Sequence, residues 1–194
     1  MNKSLSVQEF AGKGRGLVAT KDISRGEIIL KDRAVVTVSD DTMNSSAEIQ
    51  RQVDRLSKAD RDDYYKLAGI EKSMTKSSSI FFTCAIDNGK GTPLRELPEN
   101  WTDEDLDNLG NPSRSIYLGL CLLNHSCFAN CALVSTTDTD TLELITIVDV
   151  KKGEELTVNY LGSAFLTDTT IERRKMLRVK WGFLCNCFLC SKGW

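Results

Sequence analysis

Near the end of the chain three cysteines fall within six residues, Cys185-Asn-Cys187-Phe-Leu-Cys190. Thiolates are soft metal ligands, and seven cysteines are an odd number, so this spacing suits a metal ion better than a set of disulfides. A closed structural zinc site takes four ligands. The trio therefore needs a partner from elsewhere, and the candidates are Cys84, Cys121, His125, Cys127 and Cys131. Four of these five lie between positions 121 and 131, so that segment is expected to pack against the tail. Zinc binding to such a cluster is worth about 10 to 16 kcal/mol, against about 5 to 15 kcal/mol for the stability of a whole domain.

The other residues able to do chemistry are fewer. His125 is the only histidine. A hydrolase built on Cys121 or Cys127 with His125 is set aside, because a thiol two residues from a histidine is poorly placed for a nucleophile and base. Gly12, Gly14 and Gly16 recur at every second position, a permissive backbone that can approach a ligand closely but matches neither a dinucleotide fingerprint nor a P-loop. A plain hairpin turn accounts for them equally well. Tyr160 ends a β-rich stretch, and Asn124 has the character of a turn former.

The elements that must position these residues are read from periodicity. Residues 5 to 38 alternate β-rich stretches with turns: SLSVQEF, then GLVAT after AGKGRG, then EIILKDRAVVTV. Residues 39 to 79 turn polar, with Ile49, Val53 and Leu56 at helical spacing. Ser57, followed by Asp60, should cap a second helix reaching Leu67. IFFTCAI at 80 to 86 is the next apolar block. Between Asp87 and Gly110 seven acidic residues face two basic ones among breakers, which reads as a solvated loop. IYLGLCLLN is buried by its apolarity, CALVST and LELITIVDV form a strand pair, and Lys151 to Gly153 turn the chain into EELTVNYL. Thr167 to Lys180 reads as a capped helix whose apolar positions Ile171, Met176, Leu177 and Val179 leave Arg173, Arg174, Lys175 and Arg178 mostly outward.

Composition bounds the function class. The chain has 194 residues, 41% apolar and 27% charged, with 3 prolines, which is globular composition. Folding at this size removes about 70% of the unfolded chain's surface from water, enough for a core without a disulfide framework. Twenty-five Lys and Arg against 27 Asp and Glu give a net charge of -2, so no global field favours nucleic acid or a membrane. No apolar run approaches the roughly 18 residues of a membrane span, and MNKSLSVQEF lacks a signal-peptide core. An intracellular, monomeric chain without direct nucleic-acid or membrane contact is expected.

The order GKGRGLVAT, LLNHSC (122 to 127), GEELTVNYL (153 to 161), ERRKMLRVKWGF and CNCFLC resembles the SET-domain protein lysine methyltransferases. The likeness is greatest to the SET-and-MYND subfamily and its fungal relatives, and it covers residues 5 to 38 and 116 to 191. It implies a mostly β fold with some α: small curved β-sheets around a knot-like crossing, a helical insertion and a C-terminal zinc-binding post-SET segment. On this view residues 1 to 194 form a single SET domain. Its N-terminal part is 5 to 38, its helical insertion 39 to 79, its C-terminal part 80 to 166 with an acidic loop at 87 to 115, and its post-SET helix and zinc cluster 167 to 194.

The resemblance also implies the activity: a methyl group passes from S-adenosylmethionine to a lysine of a histone or other protein, in the nucleus or the cytoplasm. Lys13, Gly14, Arg15 and Gly16 would lie around the cofactor with Leu123, Asn124 and His125, and Phe183 would cover its adenine. Tyr160 would be catalytic, touching both the cofactor and the substrate channel that Trp181 also lines. Cys127 would complete one structural zinc ion with Cys185, Cys187 and Cys190.

This sequence departs from the family pattern at several points. Phe128-Ala129-Asn130 lacks the usual proline. Cys84 stands at a cofactor-contacting position where relatives commonly carry asparagine. Trp181 replaces a second channel tyrosine, and residues 39 to 79 contain no cysteine or histidine and hence no MYND module. The helical C-terminal domain of longer relatives is not within these residues. Cys84 and Trp181 favour an alternative, a catalytically silent SET-like module that binds protein and uses zinc only to fold.

Overall fold

A computed structural model describes residues 3–39, 45–70, 72–88, 113–136, 140–162 and 168–194. Most of the acidic loop expected at 87 to 115 lies outside the described residues. In chain order the elements are β1 (Leu5–Phe10), β2 (Gly14–Ala19), β3 (Ile28–Arg33), β4 (Val36–Ser39), α1 (Ser46–Arg55), α2 (Lys58–Tyr64), α3 (Lys76–Cys84) and β5 (Ile86–Asn88). There follow β6 (Ser113–Ile116), a 3-10 turn (Leu120–Leu122), β7 (Asn124–His125), β8 (Cys131–Ser135), β9 (Thr141–Thr146), β10 (Glu155–Val158), α4 (Thr170–Trp181) and α5 (Phe188–Lys192). Small sheets with a few helices are the architecture expected. The chain divides into two compact units, Met1–Arg33 with Gly119–Trp194, and Ala34–Leu118.

The first unit holds two sheets. One runs in the order β1-β2-β10-β7. Its hairpin turns at Gly12, whose φ of 74° is the positive value a side chain resists, and the Lys13 N–H donates to the Phe10 carbonyl at 3.1 Å. β10 pairs antiparallel with β2, Leu156 opposite Leu17, and parallel with β7, Thr157 opposite Asn124. The Asn130 side chain stands in for a further strand on β10: its Nδ2 donates to the Glu155 carbonyl at 2.8 Å and its Oδ1 accepts the Thr157 N–H at 2.9 Å. The second sheet, β3-β9-β8, contains the expected strand pair, with Leu133 opposite Leu144. The Asp32 carboxylate at its edge caps the 3-10 turn, accepting the N–H groups of Gly119 at 2.7 Å and Leu120 at 2.9 Å.

The helix near the C-terminus opens on a capping box between Thr169 and Glu172 and stops at Gly182, which takes φ 77°. Its buried face differs from the one read from periodicity. Ile171 and Val179 are each 79% exposed, whereas Arg173 is 4% exposed. α4 presents Thr170, Arg173 and Leu177 inward, and Arg173 can be buried because main-chain oxygens of Asp168 and Trp194, the Thr170 hydroxyl and the Cys190 sulfur receive its guanidinium. Arg174 is also turned to use, its Nε donating to the Cys185 carbonyl at 2.8 Å.

The second unit packs α1, α2 and α3 with the sheet β4-β6-β5. Ile49 and Val53 are buried as their spacing demands. Ser45, Ser57 and Thr75 each cap a helix by accepting the N–H of the third residue on. α2 ends at Tyr64, short of Leu67, where the chain tightens into turns with the Lys66 N–H on the Asp63 carbonyl at 3.2 Å and the Leu67 N–H on the Tyr64 carbonyl at 3.0 Å; the Tyr64 side chain is buried with its hydroxyl on the Ser77 carbonyl at 2.8 Å. IFFTCAI is shared between the last turns of α3 and the start of β5.

Candidate active site and thiol cluster

The fourth partner of the cysteine trio is Cys127. The Sγ atoms of Cys127, Cys185, Cys187 and Cys190 all lie within 4.8 Å of one another, and those of Cys127 and Cys190 are 3.6 Å apart. A tetrahedral zinc with bonds of about 2.3 Å would set its sulfurs about 3.8 Å apart, so this donor set fits the ion. Burial pushes the Cys127 thiol up strongly and the Cys185 thiol up to about 11. Burial acts in the same sense on Cys187, but N–H groups of Cys190 and Cys127 and the neighbouring thiols outweigh it and bring that thiol down to about 6. Four thiolates this close repel one another, and a divalent cation removes that cost.

Beside the cluster lies a cavity of about 450 Å³, inside the roughly 300 to 1,000 Å³ of small-molecule sites. Its polar wall is Lys13, Asn124 and Glu155. The Glu155 carboxylate accepts from Lys13 Nζ at 2.5 Å and from Asn124 Nδ2 at 2.8 Å. Aromatic rings line it too: Tyr160 lies 5.0 Å from Trp181 and 6.4 Å from Phe183, ring centre to ring centre. The turn at Gly182 lets Trp181 and Phe183, on either side of it, both line the cavity. Cys185 and Cys187 also line the cavity, so one segment serves cluster and cavity.

Hydrogen bonds from both its side chain and its backbone hold Tyr160. Its hydroxyl donates to the Leu123 carbonyl at 2.5 Å, and its backbone N–H donates to His125 Nδ1 at 3.0 Å. His125 is 6% exposed; burial first, then the charges of Arg173 and Lys13, hold its pKa at about 4, so the ring is neutral at pH 7. Its Nε2 is 3.3 Å from Cys127 Sγ. The two-residue separation thus does allow a thiol and imidazole contact, contrary to the ground on which the hydrolase reading was set aside. The thiol concerned is nevertheless one of the cluster of four.

A family model described as the SET domain matches residues 14–161. The chain belongs to the SET-domain family. Among relatives of this SET domain, Histone-lysine N-methyltransferase SET5 of Meyerozyma guilliermondii is 38% identical over 86 residues, 43% of this chain and 17% of that protein. Histone-lysine N-methyltransferase SMYD3 of Homo sapiens is 43% identical over 76 residues, 39% of this chain and 17% of that protein. The SET5 protein of Eremothecium gossypii is 30% identical over 159 residues, 76% of this chain and 31% of that one. The chain spans less than a third of the length of these curated relatives.

Of the residues singled out from sequence, Lys13, Asn124, His125, Tyr160, Trp181 and Phe183 all line the cavity of this SET domain. Gly14, Arg15, Gly16 and Leu123 stand behind it: the Arg15 carbonyl accepts from Asn124 Nδ2 at 3.3 Å, and Leu123 holds the tyrosine. Cys84 belongs to the second unit, where its thiol is 3.1 Å from the Ala68 carbonyl. Sequence reasoning missed Glu155 and Arg173. Glu155 lay in plain sight in the GEELTVNY motif. Its strand partner Val18 and the facing Lys13 come from a hairpin more than 130 positions away, a proximity no local pattern reveals. No helix among the described residues is long and apolar enough to cross a membrane.

Proposed function

We propose that this SET domain is an S-adenosylmethionine-dependent protein-lysine N-methyltransferase, with Cys127, Cys185, Cys187 and Cys190 holding one structural zinc ion. The carrying observation is that a single cavity is lined by Lys13, Asn124 and Glu155 together with Tyr160, Trp181 and Phe183. Bound S-adenosylmethionine supplies an electrophilic sulfonium methyl group. Lys13 and Glu155 offer opposite charges to the cofactor's carboxylate and ammonium, with the Asn124 amide donating to Glu155. Their mutual ion pair is partly exposed, at 39% and 15%, and such pairs are worth about 1 kcal/mol or less, so it opens at small cost. Gly14, Arg15, Gly16 and Leu123 act through Asn124 and Tyr160.

A lysine side chain loses its proton at pH 7 at a cost of about 4 to 5 kcal/mol. Aromatic walls disfavour the ammonium form by desolvating it, which lowers that cost, and confinement of the amine supplies proximity. The Tyr160 hydroxyl spends its hydrogen on Leu123, so its oxygen acts as acceptor toward the amine and toward a polarised methyl group. No side chain need act as a dedicated general base.

Residues 1 to 194 are proposed as one SET domain with a helical insertion at 39 to 79, acting on lysines of histones or other proteins of the nucleus or cytoplasm. The test is incubation with tritiated S-adenosylmethionine, a histone panel and cell extract. Label should pass to protein, and Tyr160→Phe should cut transfer about 100-fold or more while cofactor affinity stays within a few fold. Equal activity in Tyr160→Phe would remove the tyrosine from the chemistry, and no labelled protein at all would favour the silent module.

A further inference from the structure

We propose that the His125 imidazole is a strut joining the thiol cluster to the methyl-transfer tyrosine, with Nε2–H donating to the Cys127 sulfur while Nδ1 accepts the Tyr160 N–H. The proposal rests on the reading of the four cysteines as a metal site. A neutral imidazole has one donor and one acceptor nitrogen. A backbone N–H can only donate, so the 3.0 Å contact from Tyr160 fixes Nδ1 as the acceptor and puts the ring proton on Nε2. The partner of that proton is Cys127 Sγ, 3.3 Å away. The ring is 6% exposed, which leaves little room for water to take either role. A sulfur that must accept a hydrogen bond is best a thiolate, the form a metal ligand takes.

Arg173 supports the same assignment from the other side of the cluster. It is 4% exposed. Its Nη1 donates to the Asp168 carbonyl at 2.6 Å, its Nη2 to Thr170 Oγ1 at 3.1 Å and to the Trp194 carbonyl, and Nη2 lies 3.9 Å from Cys190 Sγ. A buried guanidinium is stabilised by negative charge close to it. Four thiolates around a divalent cation leave two negative charges in excess, which Arg173 and the Nε2–H dipole face. Cys127, His125 and Tyr160 thereby form one rigid chain from the ion to the hydroxyl, and His125 is a positioning residue, acting through its two partners.

Because the protein has 1 histidine, a single imidazole reports the outcome without assignment. The full chain, ¹⁵N-labelled at histidine and loaded with ¹¹³Cd²⁺, should show Nε2 protonated and Nδ1 bare, with a scalar coupling from the Nε2 proton to cadmium through the sulfur. His125→Phe and Arg173→Met should each weaken metal binding about 10- to 100-fold in competition with a chromophoric chelator. A ring protonated at Nδ1, or at both nitrogens, or a protonated Nε2 with no coupling to cadmium, would overturn the strut. So would metal affinity within twofold of native in the two variants. The absence of any thiolate-bound cadmium resonance would instead remove the metal site itself, and the strut with it.

Discussion

A single carbon added at Gly16 would lie 2.6 Å from Asn124 Nδ2 and 2.9 Å from the Phe10 ring, closer than real side chains approach. The glycine is there because the backbone of β2 runs against the amide that faces the cavity. Gly16→Ala should therefore push Asn124 off Glu155 and weaken S-adenosylmethionine binding tenfold or more, with a stability loss of about 1 to 3 kcal/mol from overpacking, read by calorimetry and thermal melting. Unchanged affinity would mean that Asn124 does not hold the cofactor. At this scale the sequence was legible wherever a residue type is rare. The three close thiols, the lone histidine and the aromatic pair around Gly182 stand out by identity and spacing. Glu155 and Arg173 belong to abundant classes usually found in water, and only their neighbours in space give them a role.

Among the elements, the 3-10 turn that leads into Asn124 depends on one carboxylate from another strand. Burial raises the Asp32 pKa above its usual 3.8, against the N–H groups of Leu120, Gly119 and Arg33 that lower it. A carboxyl raised in the folded state contributes its stability below the unfolded value and loses it as the pH rises through the folded one. Asp32→Asn keeps an acceptor oxygen and carries no charge. Relative to that variant, the native protein should lose stability in urea as the pH climbs through 3.8 and above it, whereas a constant difference would show that the carboxylate bears no burial cost. Asp32→Ala leaves two N–H groups unmet and should cost about 2 kcal/mol or more. The strands were legible because alternation is a local signal, as in β9 with Leu142, Leu144 and Thr146 buried. The inward face of α4 was not, since its apolar positions Ile171 and Val179 face outward and a guanidinium takes the inner place.

Across the whole molecule the segment 181 to 190 does two jobs. Trp181 and Phe183 wall the cavity, and the three cysteines that follow reach back to Cys127, two positions from His125. The order of the motifs along the chain made this convergence legible as a resemblance to one family, while the parallel pairing of Asn124 and His125 with β10 had no local signature in a stretch of two residues. If the wall stands only when the tail is tied down, cofactor affinity must follow the metal. The most direct measurement is calorimetric titration of S-adenosylmethionine into the zinc-loaded chain and into the same chain stripped by a chelator. Micromolar binding to the loaded protein, weakened by at least about tenfold (about 1.4 kcal/mol) on stripping, is the predicted result. No detectable heat from the loaded protein at millimolar cofactor, or equal affinity with and without the metal, would contradict it.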